Sequence, residues 1–181
     1  MPELRPASFA SSIFAAPGAR GFGINHLVTV HRYTASCHWA GTTSLGYERY
    51  DRTHSAAARP AELAPRLSSD PAFRGDPALL NPEQLVVMAA ASCQLLSFLA
   101  LAARARLNVV MYDDDAEGVM DDADEPARIQ RIVLHPEIWV EPGTSEDRVL
   151  GLVEQAHSLC YVANSLNSEI VLDPSVKVQQ Q

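Results

Sequence analysis

Cysteine is scarce in this sequence, and its scarcity excludes one class of fold. The 181 residues include three cysteines, far too few for a disulfide-stabilised scaffold, and an odd number leaves at least one free thiol. Such usage fits a reducing compartment. We therefore predict a cytoplasmic protein whose cysteines act as thiols, if they act at all.

Positive charge is also in short supply. The chain has 14 Lys and Arg residues against 22 Asp and Glu, a formal net charge of -8, and no basic patch interleaved with aromatic residues. This balance repels a phosphate backbone. We expect no nucleic-acid partner.

Patterns typical of metal and phosphate sites are missing as well. The acidic residues at 113–115 and 121–125 lack the ligand spacing of a calcium loop, so a solvated turn is the better interpretation. His157 and Cys160 are three residues apart but have no second pair of ligands. The glycines form no phosphate loop. We predict no metal and no bound cofactor.

Neither a signal peptide nor a membrane span is convincing. The apolar run from Phe9 to Ala16 is short and contains two serines. Residues 1–25 are therefore interpreted as an N-terminal arm, followed by a single domain at 26–181. The stretch Leu85–Ala103 is nearly long enough to cross a bilayer, but interrupting polar residues favour a buried helix of a soluble protein.

The domain begins with a predicted hairpin and a loop. Residues from Tyr33 to Trp39 alternate in polarity, as in a half-buried strand. Residues Thr42 to Thr53 are expected to form its partner strand across Ala40-Gly41. Five prolines between Pro60 and Pro82 predict an ordered surface loop.

The first long helix has a clear start. Asn81 suits the N-cap, Pro82 the first helical position, and Gln84 the reciprocal position of a capping box. The helix is expected to end near Arg106. Because nearly every face from Leu85 to Ala103 is apolar, it needs cover on most sides. We expect a sheet on one side and a second copy of the same helix on the other.

Three further apolar runs alternate like strands. Val109–Met120 and Arg128–Val140 are predicted to form a second hairpin, and Glu169–Val178 a last strand. Between Val140 and Glu169, Thr144 or Ser145 is expected to cap a second helix whose apolar face includes Cys160. The order of elements predicts an α+β fold with mainly antiparallel pairing.

Two thiols on separate buried elements indicate redox chemistry, which proceeds through the thiolate. Cys93 lies ten positions after Glu83, too deep in its helix for the helix dipole to lower its pKa much. A cation is needed, and Arg74 in the preceding loop is the nearest candidate, with Glu83 to hold it. Ten helical residues span roughly 15 Å, so Glu83 should serve Cys93 of a partner helix in a symmetric dimer.

Each of these residues also has a structural interpretation. Most buried cysteines are small hydrophobic residues, and Cys37 on the apolar strand face is expected to be one. Arg74 is by default a surface charge, and Glu83 a helix-dipole residue.

Four segments of the sequence together are typical of a known family. They are Asp70–Pro77, Asn81–Leu85, Ala91–Cys93 and Ala156–Ser165. In these segments the chain resembles the OsmC/Ohr family of osmotically inducible and organic hydroperoxide resistance proteins. The resemblance covers roughly residues 27–178, and both cysteine segments and the Asn-Pro-Glu helix start occur in the expected order.

The resemblance implies an intertwined α+β homodimer, with two six-stranded sheets around central helices, that acts as a thiol-dependent peroxidase. It implies that Cys93 is the peroxidatic cysteine and Cys160 the resolving cysteine. It further implies that Arg74 activates the thiolate and the peroxide, and that Glu83 orients Arg74.

Arg49 or Arg52 in the first hairpin could take the place of Arg74 as the activating arginine. The resemblance implies an external dithiol reductant, either dihydrolipoamide or a lipoylated protein, and an organic hydroperoxide as substrate. The alternative from another class is a non-catalytic dimer with structural cysteines and an apolar cleft for a small ligand.

Overall fold

A computed structural model describes residues 30–121, 123 and 125–179. The predicted arm at 1–25 lies outside these residues. The fold described below belongs to one compact unit, Thr34–Gln181.

The described part of the chain contains two α-helices, two short 3₁₀ turns and nine strands. The helices are α1, Pro82–Arg104, and α2, Glu146–Leu159. The strands are β1 Ser36–His38, β2 His54–Ala57, β3 Arg66–Leu67, β4 Val109–Asp114, β5 Glu117–Asp121, β6 Arg128–Leu134, β7 Pro136–Val140, β8 Glu169–Leu172 and β9 Ser175–Val178.

The strand predicted to pair with the first strand of the hairpin is wrong. β1 pairs antiparallel with β2, with Cys37 opposite Ala56, and β2 pairs with β3. The Thr- and Tyr-rich segment between β1 and β2 forms turns and bends instead of a strand. Its aromatic side chains pack around Arg52, which binds two carbonyls of this segment, and this local network competes with strand pairing.

The later strands form two further three-stranded sheets, in the orders β4-β7-β9 and β5-β6-β8. The pairs β4·β7 and β5·β6 are antiparallel, and β8 and β9 run parallel to β6 and β7. Each run predicted as one strand is therefore divided in two, because the chain passes from one sheet to the other within it. The prediction of an α+β fold with mainly antiparallel pairing is confirmed.

The predicted start of α1 is confirmed in detail. Asn81 Oδ1 accepts a hydrogen bond from Gln84 N (2.8 Å), and Gln84 Oε1 accepts one from Asn81 N (3.0 Å). Asn81 Nδ2 also donates to Asp70 Oδ2 at 3.3 Å. The capping box thus ties α1 to the loop before it.

One face of α1 is buried and another is open in the single chain. Ala90, Gln94, Phe98 and Ala102 are buried, and they face α2 and strands of the later sheets. By length and composition alone α1 could cross a membrane, but its buried face packs within the fold. The expectation that a second copy covers the open face stays a prediction.

α2 packs its apolar face against α1 and the β4-β7-β9 sheet. Val149, Val153 and Ala156 are fully buried with Phe98 and Ile138 in one core cluster. Ser145 is the N-cap, although its side chain makes no capping hydrogen bond. α2 ends at Cys160, the C-cap, which is 1% exposed.

Candidate active site

Cys93 and Cys160 come together where α1 and α2 pack. Both are free thiols, and their side chains are hydrogen-bonded to each other. The register of the two helices is fixed nearby by buried Gln94, whose Nε2 donates to the carbonyl of Val153 at 3.0 Å. Two thiols that interact in this way are a candidate pair for thiol–disulfide chemistry.

Three more groups lower the pKa of the Cys93 thiol through hydrogen bonds. They are the backbone N–H groups of Tyr161 and Val162, in the turn after α2, and the Ser97 side chain, in the next turn of α1. The following N–H, that of Ala163, donates to Cys160 Sγ at 3.5 Å. Consecutive N–H groups of one turn therefore surround the two sulfurs, as in anion-binding backbone concavities.

These contacts make the two thiols unequal. Burial raises the pKa of Cys93, but hydrogen bonds from Cys160, Val162, Ser97 and Tyr161 outweigh it and hold that pKa below its ordinary value. Burial raises the pKa of Cys160, and donating to Cys93 raises it further. Cys93 is therefore the thiol that ionises first, and Cys160 stays protonated beside it.

A groove of about 710 Å³ gives access to Cys93. Its lining is mostly apolar, and Leu96 on its rim is 64% exposed. It can accommodate an alkyl or aryl chain next to the sulfur. The lining residues are Ala89, Ser92, Cys93, Leu96, Ser97, Ala100, Leu101, Arg104, Leu159, Tyr161 and Val162.

Arg74 lies elsewhere in the single chain. It is the left-handed C-cap of the 3₁₀ turn Pro71–Phe73, with φ 68°. Its guanidinium forms an ion pair with Glu48 at 2.9 Å, and both side chains are more than half exposed. Among the described residues, hydrogen bonds rather than a cation lower the pKa of Cys93.

Glu83 is in the first turn of α1, ten residues from Cys93. Its Oε2 atom is buried and has no hydrogen-bond partner among the described residues. It lines a second cavity, of about 650 Å³, with Asp70 and Met88. A buried carboxylate oxygen without a partner is costly, so this position suits a cation that none of the described residues supplies.

The two alternative arginines differ in burial. Arg49 is exposed, and its side-chain Nε donates to the Leu45 carbonyl at 3.3 Å. Arg52 is 9% exposed, donates to the carbonyls of Tyr50 (3.0 Å) and Tyr47 (2.7 Å), and stacks on both rings. It lines a cavity of about 480 Å³ that also includes Pro82, the residue before Glu83.

Sequence reasoning missed three features of the site and misjudged one residue. The donors at Tyr161 and Val162 are backbone groups and leave no side-chain signal. Ser97 follows Cys93 by four residues, and this helical spacing could have identified it. Cys37 is exposed on β1, so its expected place on an apolar face is wrong.

Three features define this chain as a thiol-containing protein of one structural class. They are the capped start of α1, the neighbouring thiols of Cys93 and Cys160, and the α+β fold. The family model described as OsmC-like protein matches residues 75–175. The chain belongs to the OsmC-like protein family.

Two curated relatives match about half of the chain. The peroxiredoxin OsmC of Escherichia coli (strain K12) is 30% identical over 97 residues, which cover 54% of this chain and 67% of the relative. The uncharacterized protein YmaD of Bacillus subtilis (strain 168) is 25% identical over 103 residues, covering 54% and 69%.

Solved structures share the fold over most of the chain. An OsmC-like protein of unknown function from Vibrio cholerae matches with a TM-score of 0.72 and 26% identity, covering 81% of this chain and 100% of that one. An organic hydroperoxide resistance protein from Legionella pneumophila matches with a TM-score of 0.60 and 17% identity, covering 83% and 99%. The second likeness shows the fold alone.

Proposed function

We propose that the chain is a cysteine-based peroxidase that reduces organic hydroperoxides to alcohols in cytoplasmic defence against oxidative stress. The observation that carries the proposal is the hydrogen-bonded pair of Cys93 and Cys160, in which Cys93 has the lowered pKa. The name of the Escherichia coli relative, a peroxiredoxin, supports this chemistry.

In the first step the Cys93 thiolate attacks the terminal oxygen of the hydroperoxide. An S–O bond forms and the O–O bond breaks, so that sulfur is oxidised to a sulfenic acid. The leaving alkoxide takes a proton from water and departs as the alcohol. The N–H groups of Tyr161 and Val162 stabilise the thiolate before attack.

In the second step Cys160 resolves the sulfenic acid. Its sulfur bonds to Cys93 Sγ, the sulfenic oxygen leaves with two protons as water, and a disulfide remains. An external dithiol, dihydrolipoamide or a lipoylated protein, then reduces that disulfide by thiol–disulfide exchange and is itself oxidised.

The groove favours substrates with an apolar tail. Each CH₂ buried there contributes about 0.8 kcal/mol, a gain that hydrogen peroxide cannot make. The second candidate, a non-catalytic carrier with structural cysteines, is favoured by the same apolar groove. It differs in predicting no chemistry at the thiols.

We also propose that the working form is a homodimer with a shared site. The open face of α1 exposes Met88, Leu96 and Leu99, and an apolar helix face of this kind needs cover. Glu83 lies roughly 15 Å along the helix from Cys93 of its own chain, so it serves the site of the partner chain.

Of the candidate arginines, Arg52 fits the activating role better than Arg74. Arg52 is buried and lines a cavity together with Pro82. Pro82 is the residue before Glu83, whose carboxylate has an oxygen without a hydrogen-bond partner among the described residues. Arg74 is paired with Glu48 at the surface. An arginine has five N–H donors, so one that binds two carbonyls can also bind a carboxylate.

The test is peroxidase turnover with dihydrolipoamide, comparing cumene hydroperoxide with hydrogen peroxide. Cys93→Ser should abolish consumption of either peroxide, because it removes the nucleophile. Cys160→Ser should permit one turnover and leave a sulfenic acid that dimedone traps. Full multi-turnover activity in Cys93→Ser would exclude the proposed enzyme.

A further inference from the structure

Ser97 is the one side-chain hydroxyl that contributes to lowering the pKa of Cys93 among the described residues. It follows Cys93 by four residues in α1, so the two side chains lie on the same helix face. Both are half-buried, and both line the 710 Å³ groove. At this spacing the Ser97 hydroxyl is within reach of the Cys93 sulfur, and its hydrogen bond is one of the contributions that lower the pKa of Cys93.

On the basis of the proposed peroxidase function, we propose that Ser97 is a further catalytic residue, whose hydroxyl donates a hydrogen bond first to Cys93 Sγ and then to the oxygen leaving the peroxide. A hydroperoxide must enter the groove to reach the sulfur. Ser97 and Cys93 line that groove together, so a hydroperoxide that reaches the sulfur also comes next to the Ser97 side chain.

The role follows from how charge moves during the attack. Negative charge passes from sulfur to the alkoxide oxygen as the S–O bond forms and the O–O bond breaks. The N–H donors of Tyr161 and Val162 are fixed in the backbone and remain directed at the sulfur. A serine hydroxyl rotates and can follow the charge while keeping its own proton, and hydrogen bonds to charged oxygen are the stronger ones. The alkoxide then takes its proton from water.

The experiment compares Ser97→Ala with Ser97→Thr in the full-length protein. The pKa of Cys93 is measured from the pH dependence of iodoacetamide alkylation, followed by mass spectrometry of the Cys93 peptide. Ser97→Ala should raise this pKa by about one unit, because one hydrogen bond to the thiolate is lost. It should lower kcat/KM for cumene hydroperoxide about tenfold at pH 7, and Ser97→Thr should restore both values.

Ser158→Ala is the matched control, since Ser158 is also a helix serine but lies on α2 outside the groove, where its hydroxyl donates to the Gln155 carbonyl at 2.8 Å, and it does not contribute to the lowered pKa of Cys93. Neither value should change in this variant. An unchanged pKa and kcat/KM in Ser97→Ala, or equal changes in Ser158→Ala, would overturn the assignment. If the wild-type protein reduces no hydroperoxide, the proposed function fails, whereas the alkylation profiles still decide whether Ser97 acts on the thiolate.

Discussion

At the scale of single residues, the site distinguishes two chemically identical side chains by their hydrogen bonds. Cys93 accepts from four donors, whereas Cys160 donates to Cys93 and is more deeply buried. The side chains that face inward could be predicted from helical periodicity. The donors could not, because two are backbone groups of a turn whose position depends on how α2 packs on α1.

The unequal pKa values predict the pH dependence of Cys93 reactivity. A lowered pKa means that the thiolate is present above that pKa and is lost as the pH falls through it. The alkylation rate of Cys93 should therefore reach its plateau at a lower pH than that of a free cysteine derivative.

Replacing the main donor tests this explanation. Cys160→Ala removes the side-chain hydrogen bond to Cys93, so the alkylation profile should move to higher pH, by about one unit. Cys37→Ala, at an exposed position on β1, should leave the profile in place. Coincident profiles for wild type and Cys160→Ala would contradict the account of the lowered pKa.

At the scale of elements, the start of α1 could be predicted because its signal is local. Three neighbouring residues, Asn81, Pro82 and Gln84, suffice to specify the capping box. The bounds of the later strands could not be predicted in the same way, because the alternation in polarity continues past His135 and Asp173, where one strand ends and the next begins. The prediction of the first hairpin was wrong because Arg52 organises the Tyr-rich segment into turns.

The capping box should contribute measurably to stability. Asn81→Ala removes the bond to Gln84 N and the bond to Asp70, and should lower the free energy of unfolding by about 1 kcal/mol. Ser145→Ala at the N-cap of α2 is the control, because that side chain makes no capping bond. Its effect should stay within about 0.5 kcal/mol. Urea unfolding of the two variants measures both, and equal losses would show that the capping box is not the cause.

At the scale of the whole molecule, two features of the described residues favour the proposed dimer. One face of α1 exposes apolar side chains, and the Glu83 oxygen has no partner among the described residues. The sequence could predict the first feature from the apolar composition of α1. The sequence could not predict the unpaired Glu83 oxygen. Its burial depends on residues that are distant in sequence, such as Met120, which lines the same cavity as Glu83.

A charge on the open face of α1 should weaken the dimer. Leu96→Glu would place a carboxylate in the proposed helix contact and should raise the dissociation constant at least about tenfold. Leu63→Glu, 77% exposed in the loop before β3, should have no effect. Sedimentation equilibrium measures both, and a monomeric wild-type protein would reject the shared site.

Counting thiols after one equivalent of cumene hydroperoxide, in the absence of reductant, tests most directly whether Cys93 and Cys160 carry out the peroxidase reaction. Each chain should lose two thiols, mass spectrometry should find the Cys93 and Cys160 peptides joined by a disulfide, and Cys37 should remain open to alkylation. Three intact thiols, or a disulfide that includes Cys37, would contradict the proposed reaction.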